Sequence, residues 1–483
     1  MTEPPLSTEQ KALRLNLDAA KYGTVAEIGA GQEVARWFFR VGRAAGTIAK
    51  TISAYDMAIS DAIYGRSDRY VSRMRLEAML KYEFDLLLQR LGPSRGGGCT
   101  FFAFADTVAT RTPRHEDGGH GWMGVRFQTQ PGGEPSQVMI HVTTQDRERV
   151  HQQEALGIMG VNLIYGGFFL HQDPAALIRS LLDELSAERI GVDLIKFLGP
   201  AFVGVDHRLM SLQLVEQGLS HSAMFTVEGE VVQASEVLYK KPVLVERGRF
   251  RPITKLTLDM LESSQEQFLA EPEVAGQQPV VLLEMTLSTL AGEHGISHED
   301  FLARVDTLRV LGKTVVISNY GRYFRLVEYL RRYTDNAIGI VGGIPSLRQI
   351  SDAKFYEDLE GGILESAGRL FKRNVRLYVY PYKDPSSGEV VTMETVELAP
   401  NLRHLHAYLV ENRCLVPIRR YDPAALGIDA DVVFEKMRAG DPTWEAMVPA
   451  AVVELIKRER LFGWRPGETS SPVGAKSGTG DHG

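Results

Sequence analysis

The second half of the sequence consists of short apolar runs that alternate with segments of helical periodicity. From about residue 190 onward the apolar runs are IGVDLIKFLG, SAMFTV, PVVLLEMTL, TVVISNY, AIGIVGG and VRLYVYP. Segments such as 298–311 and 321–333, which lie between the later runs, repeat apolar residues at helical spacing. Strands that alternate with helices in this way are typical of a parallel sheet with crossover helices. We therefore predict an α/β fold for this half of the chain.

The first half predicts a different arrangement. Apolar residues recur at helical spacing from about Gln32 to Leu91, and the segment GPSRGGG at 92–98 ends that pattern. The runs CTFFAFADTVA, GWMGVRFQTQ and SQVMIHVTT then have the pattern of strands, and PGGEPS is a good hairpin connection between the last two. We predict an N-terminal helical region with a small antiparallel or mixed sheet, followed by the largely parallel sheet with crossover helices.

The length of 483 residues is too great for one typical core, so we expect more than one domain. The end of the chain is polar and rich in Gly and Ser, a composition that favours disorder. We predict a polar leader at 1–22, an N-terminal α+β domain at 23–188, an α/β domain with parallel strands at 189–385, a C-terminal helical extension at 386–465 and a disordered tail at 466–483.

Charge and composition exclude several classes of protein. The formal net charge of −7 argues against a general nucleic-acid binder, which presents a concentrated basic face. Only two cysteines occur, so no disulfide framework is implied. The first residues show no signal-peptide pattern, and the longest apolar stretch, from Leu156, is too short to span a bilayer. We expect a cytoplasmic protein with neither a membrane nor a nucleic acid as partner.

The stretch between residues 27 and 61 contains clustered glycines followed by a lysine. A Walker loop has its lysine directly after the second glycine, whereas Lys50 lies four positions beyond Gly46. On a helix, however, Lys50, Ser53, Asp56 and Ser60 would share one polar stripe among small and apolar neighbours. This stripe either faces solvent or forms the wall of a pocket. We take Lys50 and Asp56 as candidate catalytic residues.

Two further features supply N-terminal candidates. Gly29 and Gly31 precede a predicted helix at Gln32, where they either expose backbone N–H groups to an anion or form a plain turn. Asp106 and Arg111 lie at the end of the apolar run FFAFADTVATR. A carboxylate in such a run must be paired, liganded or at the strand end, which leaves a structural salt bridge and a site role open. Asp106 is a candidate catalytic residue, and Gly29, Gly31 and Arg111 are candidate ligand-binding residues.

The loop RHEDGGHGW holds four side chains that can bind metals, but without an established ligand spacing. We therefore predict a solvated loop and no metal site. The sequence does not identify a cofactor.

Polar residues at the carboxyl ends of the predicted strands supply the C-terminal candidates, because ligands of parallel sheets bind at that edge. Lys196 lies near the end of one apolar run and is a candidate catalytic residue. The run IGIVGG leads into a predicted helix with a proline in its first turn, which favours an oxyanion or phosphate seat. Tight packing of crossover connections is the alternative, and it also favours glycine. The candidate ligand-binding residues here are Asp206, Arg208, Asn319, Gly342, Gly343 and Ser346.

Seven segments carry a resemblance to a known family; they lie at 22–42, 46–65, 101–111, 120–131, 152–166, 229–248 and 356–381. Over roughly residues 12–465 the chain resembles a widespread bacterial family. Its members carry conflicting names, chiefly nicotinate-nucleotide adenylyltransferase and TonB-dependent receptor. The first name implies nucleotidyl transfer. The sequence lacks the H-x-G-H tetrapeptide of the usual adenylyltransferases, so nucleotidyl transfer would require different residues.

Two hypotheses about function follow. The first is a cytoplasmic enzyme, such as a transferase, that acts on a nucleotide or another phosphorylated metabolite. The second is a non-catalytic metabolite-binding or scaffold protein. The helical segment RYVSRMRLEAMLKYEFDLLLQRL suits an interface in a homo-oligomer. Under the first hypothesis we expect Lys50, Asp56, Asp106 and Lys196 to approach one common cleft.

Overall fold

The computed structural model describes residues 5–29, 31–110, 119–293 and 295–465. Within these residues the chain folds into two large sheets flanked by helices, one of six strands and one of eight. The predicted α/β class is confirmed. The predicted tail at 466–483, Arg111 and the loop residues up to 118 lie outside the described residues.

The first sheet, termed the N-terminal sheet, is mixed, as predicted. Its strand order is β2-β1-β3-β4-β5-β6, in which β1 pairs parallel with β2 and β3 while β4, β5 and β6 add antiparallel neighbours. The elements of this part are α1 (Thr8–Asn16), β1 (Lys21–Gly29), α2 (Val34–Arg40), β2 (Ile48–Ile52), α3 (Met57–Tyr64), α4 (Arg73–Arg95), β3 (Thr100–Ala109), β4 (Gly119–Phe127), β5 (Ser136–Thr144), α5 (Arg149–Phe169), α6 (Pro174–Ser180) and β6 (Ile190–Leu198).

Within the segment predicted as a polar leader, residues 8–16 form α1. Ser7 caps this helix in a capping box with Gln10, a local signal for a helix start. Leu15 is fully buried in the core that α1 shares with α5. The buried Lys11 ammonium donates to Asn162 Oδ1 at 2.8 Å and to Asp183 Oδ2 at 2.6 Å, which offsets the cost of burying its charge.

The helical region expected from about Gln32 to Leu91 is interrupted by a strand. The structure instead has three helices there, α2, α3 and α4, with strand β2 between α2 and α3. Residues 48–52 pair with β1, where Lys50 lies opposite Thr24. Tertiary pairing with a neighbouring strand therefore overrides the helical spacing of the local sequence.

The second sheet, termed the C-terminal sheet, has the order β18-β15-β14-β9-β10-β13-β7-β8. All neighbours from β18 to β13 are parallel, whereas β7 pairs antiparallel with β13 and with β8. The elements are α7 (His207–Glu216), β7 (Ser222–Phe225), β8 (Val231–Val232), α8 (Ala234–Leu238), β9 (Val243–Arg247), α9 (Lys255–Leu269), β10 (Val280–Thr286), α10 (Leu287–Leu290), β11 (Ala291–Gly292), β12 (Gly295–Ile296), α11 (His298–Arg309), β13 (Thr314–Ser318), α12 (Tyr323–Leu330), β14 (Ile338–Gly343), α13 (Ile344–Ile350), α14 (Gly362–Leu370), β15 (Val375–Tyr380), β16 (Tyr382–Lys383), β17 (Val390–Val391), α15 (Arg403–Glu411), β18 (Leu415–Pro417), α16 (Ala430–Ala439) and α17 (Ala450–Glu459).

Two strands occupy places that the sequence did not indicate. The run at 190–198, expected to open the parallel sheet, is β6 and pairs antiparallel with β5 in the N-terminal sheet. A domain boundary at 188–189 would therefore divide that sheet. In the region expected to be a helical extension, β18 joins the C-terminal sheet beside β15. Periodicity identifies the run at 190–198 as a strand but does not determine which strand it pairs with.

The parallel strands have a doubly wound order. Numbered along the chain as 1 to 6, strands β9, β10, β13, β14, β15 and β18 lie side by side as 3-2-1-4-5-6. Helices α9 and α11 cover one face, and α12, α13 and α14 cover the other. The chain leaves β9 toward the first face and β14 toward the second, so the carboxyl ends of these two strands form the topological switch point of the sheet. Ligands of doubly wound sheets bind at this topological switch point.

Among the described residues, no helix combines the length and the apolar character needed to cross a membrane.

Candidate functional site

The carboxyl ends of β9 and β14 define the candidate site, which we call the switch-point crevice. In the register of these paired strands Val341 lies opposite Glu246. Arg247, the last residue of β9, therefore ends beside Gly342, and α13 begins directly after Gly343. Gly342 is buried and Gly343 is half-buried, so Gly343 is the glycine whose backbone reaches this edge of the sheet. This is the strand–Gly-Gly–helix passage in which the sequence predicted a phosphate seat.

The turn from β9 to α9 forms the other rim and is rich in cations. Arg249 and Arg251 lie within the turn, and Lys255 is the exposed first residue of α9. The ring of Phe250 is buried and anchors the turn; a Cβ at Gly248 would come within 2.7 Å of that ring. Close approach of an aromatic ring thus requires glycine at this position. Arg249 pairs with Asp431 at 3.1 Å and Arg251 with Asp300 at 2.5 Å, so two of these cations already have carboxylate partners.

Beneath the crevice lies a network built around Arg247. Its Nε and Nη2 donate to the two carboxylate oxygens of Glu284, at 2.8 and 2.9 Å, and Ser318 Oγ donates to the same carboxylate at 2.5 Å. The guanidinium also lies 4.5 Å from the ring centre of Tyr323 and donates to Gly321 O at 3.2 Å. Burial lowers the pKa of Arg247, but the Glu284 carboxylate outweighs burial and the pKa is raised. This bidentate pair fixes the carboxyl ends of three strands relative to one another.

Glu246 points to the opposite face of the sheet from Arg247. Its side chain is buried, and neither carboxylate oxygen has a hydrogen-bond partner within the described part of the chain. Burial raises its pKa well above the ordinary value, with Lys313 opposing the effect weakly. Burial therefore favours the neutral form of this carboxyl group.

A pocket of about 490 Å³ lies beyond the carboxyl end of β13, and we call it the β13 pocket. Its size suits a small ligand. Gly321, which accepts a hydrogen bond from Arg247, is part of its wall and connects it to the network under the crevice. The other lining residues are His221, Asn319, Tyr320, Arg322, Arg325, Glu328, Tyr329, Arg332 and Asp358.

The C-terminal candidates predicted from the sequence fall into two groups. Gly342, Gly343 and Ser346 lie at the crevice, where Ser346 contacts Tyr323, and Asn319 lines the β13 pocket. These four residues thus occupy one edge of one sheet.

Asp206 and Arg208 belong to a different place. Asp206 caps α7 by accepting from the Arg208 backbone N–H at 2.8 Å. The Arg208 guanidinium donates both to Asp206, at 2.6 Å, and to Asp306 on α11, at 2.5 Å. Because these contacts satisfy both residues, the structure explains them as a helix cap and an interhelical ion pair.

The N-terminal candidate Asp106 forms a buried acidic pair with Glu27, and the candidates Gly29 and Gly31 lie near this pair. Asp106 is completely buried, and its pKa is raised well above the ordinary value by burial and by neighbouring Glu27. Glu27 accepts from the first backbone N–H groups of α2, at 2.9 and 3.4 Å, but burial still raises its pKa. A Cβ on Gly31 would lie 2.2 Å from Asp106 Oδ2, and Gly29 has φ +80° at the end of β1.

Lys50, Asp56 and Lys196 do not join this pair. Lys50 lies on a strand rather than a helix and its ammonium is 2.5 Å from a carboxylate oxygen of the buried Glu83. Asp56 is exposed and caps α3. Lys196 lies on β6 and is 3.7 Å from Glu230. Since β2 and β6 are the two edges of the N-terminal sheet, Lys50 and Lys196 are separated by roughly 24 Å. The expected common cleft is therefore wrong.

Four residues at these sites are not among those predicted from the sequence: Glu27, Glu246, Arg247 and Tyr323. The signal for the middle two was the run VLVER, in which three apolar residues lead directly into a Glu-Arg pair. Such a run has the length of a short buried strand, and its charged end marks a carboxyl edge in the same way as Asp106 does. Tyr323 carries no signal of its own because it reaches the site only through the packing of α12.

Comparisons with known proteins find only weak similarities, all of them to solved structures. No family model matches this chain, and no curated protein matches it significantly. Among solved structures it is similar to the competence/damage-inducible protein CihA from Agrobacterium tumefaciens, with TM-score 0.26, 16% identity and coverage of 34% of this chain and 97% of that one. It is similar to nicotinic acid mononucleotide adenylyltransferase from Plasmodium falciparum complexed with APC, with TM-score 0.30, 9% identity and coverage of 47% and 98%. A CinA-superfamily protein from Enterobacter cloacae follows, with TM-score 0.21, 16% identity and coverage of 28% and 80%. These similarities are too weak to indicate a function.

Proposed function

We propose that this protein binds a phosphorylated metabolite in the switch-point crevice of the C-terminal sheet and acts on it as an enzyme. The observation that carries the proposal is the 3-2-1-4-5-6 order of the parallel strands, which places the topological switch point between β9 and β14. A negatively charged ligand fits this crevice because of the side chains and backbone that line it.

The two rims complement a phosphate in different ways. On one rim Arg249, which pairs only at the surface with Asp431, and the exposed Lys255 offer charge-assisted hydrogen bonds, which are about twice as strong as neutral ones. Arg251 is already paired with Asp300 at 2.5 Å. On the other rim the half-buried Gly343, directly before α13, is the glycine whose backbone a ligand would meet, whereas Gly342 is buried. During a transfer reaction the same cations would stabilise charge that develops on the phosphate oxygens.

A non-catalytic binding protein is the alternative, and one observation favours it. The two buried carboxyl groups nearest the crevice are not available as bases: Glu284 is bonded to Arg247 and Ser318, and burial favours the neutral form of Glu246. Incubation of the purified protein with a bound ligand, followed by mass spectrometry, separates the two. A product indicates an enzyme, and unchanged ligand indicates a binding protein.

Binding itself is tested by thermal shift against a panel of nucleotides and sugar phosphates. A ligand at 100 times its dissociation constant raises the free energy of unfolding by about 2.7 kcal/mol, so a clear rise in Tm is expected for at least one compound. A panel that produces no shift at all would refute the proposal.

The variant Arg249→Met tests the placement of the ligand. Its guanidinium is 61% exposed and pairs only at the surface with Asp431, so its loss leaves the fold intact. Because a hydrogen bond to a charged group contributes about 1.5–3 kcal/mol, we expect affinity to fall by roughly 10- to 100-fold. The control is Arg420→Met, which removes another exposed arginine, paired with Glu266 elsewhere on the molecule. If the two variants bind the ligand with equal affinity, the ligand does not bind in the switch-point crevice.

A further inference from the structure

The β13 pocket combines stacked rings with guanidinium groups. We propose that it holds the aromatic base of a nucleotide whose phosphate lies in the switch-point crevice, an inference that rests on the proposed function. The ligand class is thereby narrowed from phosphorylated metabolites in general to nucleotides.

One wall of the pocket is a cluster of aromatic side chains. The ring centres of Tyr320 and Tyr329 are 5.3 Å apart at an interplanar angle of 36°, and Tyr333 meets Tyr329 edge-on at 5.3 Å. The buried Tyr329 supports the more accessible Tyr320 from behind. Such a rigid aromatic surface stacks on planar rings with little loss of conformational freedom.

His221 extends this wall to the mouth of the pocket. Its exposed imidazole lies 6.0 Å from the Tyr320 ring at an angle of 35°. The Asn319 side-chain amide lies 3.2–3.3 Å from His221 Nδ1 and holds the ring in place. A base entering the pocket would therefore meet an imidazole that is already oriented for stacking.

The arginines of the pocket are not equivalent. Arg322 forms a bidentate pair with Asp358, at 2.6 and 3.0 Å, and Arg325 lies 3.5 Å from Glu328. Arg332 lines the same pocket, and within the described part of the chain its guanidinium makes no ion pair or side-chain hydrogen bond. A planar guanidinium stacks on a nucleobase or donates to its edge. Among the arginines that line the pocket, Arg332 is therefore the one we expect to contact the ligand.

The two halves of the site lie within reach of one ligand. Only β10 separates β9 from β13, so their carboxyl ends are roughly 10 Å apart. Arg247, at the end of β9, reaches Gly321 O in the pocket wall at 3.2 Å and spans the gap. The ribose of a mononucleotide is the part that would bridge from the crevice to the pocket.

Isothermal titration calorimetry with AMP, GMP, CMP, UMP and ribose 5-phosphate tests the inference. We expect at least one nucleotide to bind about tenfold more tightly than ribose 5-phosphate, because base stacking contributes about 1–3 kcal/mol. The variants His221→Ala and Arg332→Met should weaken binding of that nucleotide about fivefold or more and leave ribose 5-phosphate binding unchanged. Both side chains are exposed, so both variants should fold. The controls His404→Ala and Arg420→Met remove exposed side chains outside the pocket.

The outcomes distinguish this inference from the proposed function. If nucleotides and ribose 5-phosphate bind equally well and neither pocket variant matters, the base subsite is wrong while the phosphate site stands. If neither any nucleotide nor ribose 5-phosphate binds, the proposed function falls and the inference falls with it.

Discussion

At the scale of single residues, three buried carboxyl groups govern how this protein should respond to pH. The pKa values of Glu27, Asp106 and Glu246 are all raised in the folded state, chiefly by burial. Well below the ordinary pKa values of 4.5 for Glu and 3.8 for Asp, both the folded and the unfolded chain keep these protons. As the pH rises further, the unfolded chain releases protons that the folded chain retains, so the free energy of unfolding falls.

Glu246→Gln isolates the contribution of one of these groups. The substitution preserves shape and removes the titration, so the variant should gain Tm relative to the wild type as the pH is raised from 5 to 8. The measurement is Tm by calorimetry across that range, with the exposed Glu411→Gln as control. A difference in Tm that does not change with pH would show that Glu246 is not held as a neutral acid.

Gly31 has a single explanation at this scale, the approach of Asp106. Gly31→Ala would place a methyl group 2.2 Å from the Asp106 carboxylate, and such overpacking costs about 1–3 kcal/mol. Chemical denaturation should therefore show a clear loss of stability. Gly46→Ala is the matched control, because a Cβ there meets open space. Similar stabilities of the two variants would contradict the described packing.

At the scale of elements, the sequence predicts strands better than it predicts their partners. Strands β3, β4 and β5 and the parallel strands β10, β13, β14 and β15 were recognised because each is an apolar run bounded by turn signals. Strand β2 was mistaken for helix because Lys50, Ser53 and Asp56 also fit a helical stripe. The pairing of β6 with β5 depends on contacts between distant residues, which local periodicity does not encode.

Lys50 is explained by this strand and by the helix α4 that packs beside it. Its ammonium neutralises Glu83, whose side chain has no exposure and also accepts from Tyr64 at 2.9 Å. Lys50→Met should leave that carboxylate without its cation and lower stability by about 1–2 kcal/mol, a discounted value because Lys50 is itself 38% exposed. Thermal denaturation of Lys50→Met and of the double variant with Glu83→Gln checks this. The double variant should recover part of the loss; a loss that is simply additive would contradict the pairing.

The candidate site was predictable only in part. The carboxyl-end rule for parallel sheets was sufficient to select Asn319, Gly342, Gly343 and Ser346, since it needs no knowledge of strand order. The switch point itself depends on which strands are neighbours, so the significance of Arg247 and of the turn after it emerged only from the fold.

At the scale of the whole molecule, the two sheets share one continuous core. Leu76 and Trp122 beside the N-terminal sheet belong to the same buried cluster as Phe225 and Phe301 beside the C-terminal sheet. Helix α7 contacts both sheets, through β6 on one side and β7 on the other. The molecule therefore offers two separate carboxyl edges, one with the acidic pair Glu27 and Asp106 and one with the arginine-lined crevice.

Hydrogen–deuterium exchange with and without the best-binding phosphorylated compound distinguishes these two edges most directly. The account predicts added protection in residues 246–257 and 342–350, with a further effect at 319–332 if the ligand is a nucleotide. Protection confined to 24–35 and 104–110 would place the ligand at the acidic pair of the N-terminal sheet, and the proposed site would be contradicted.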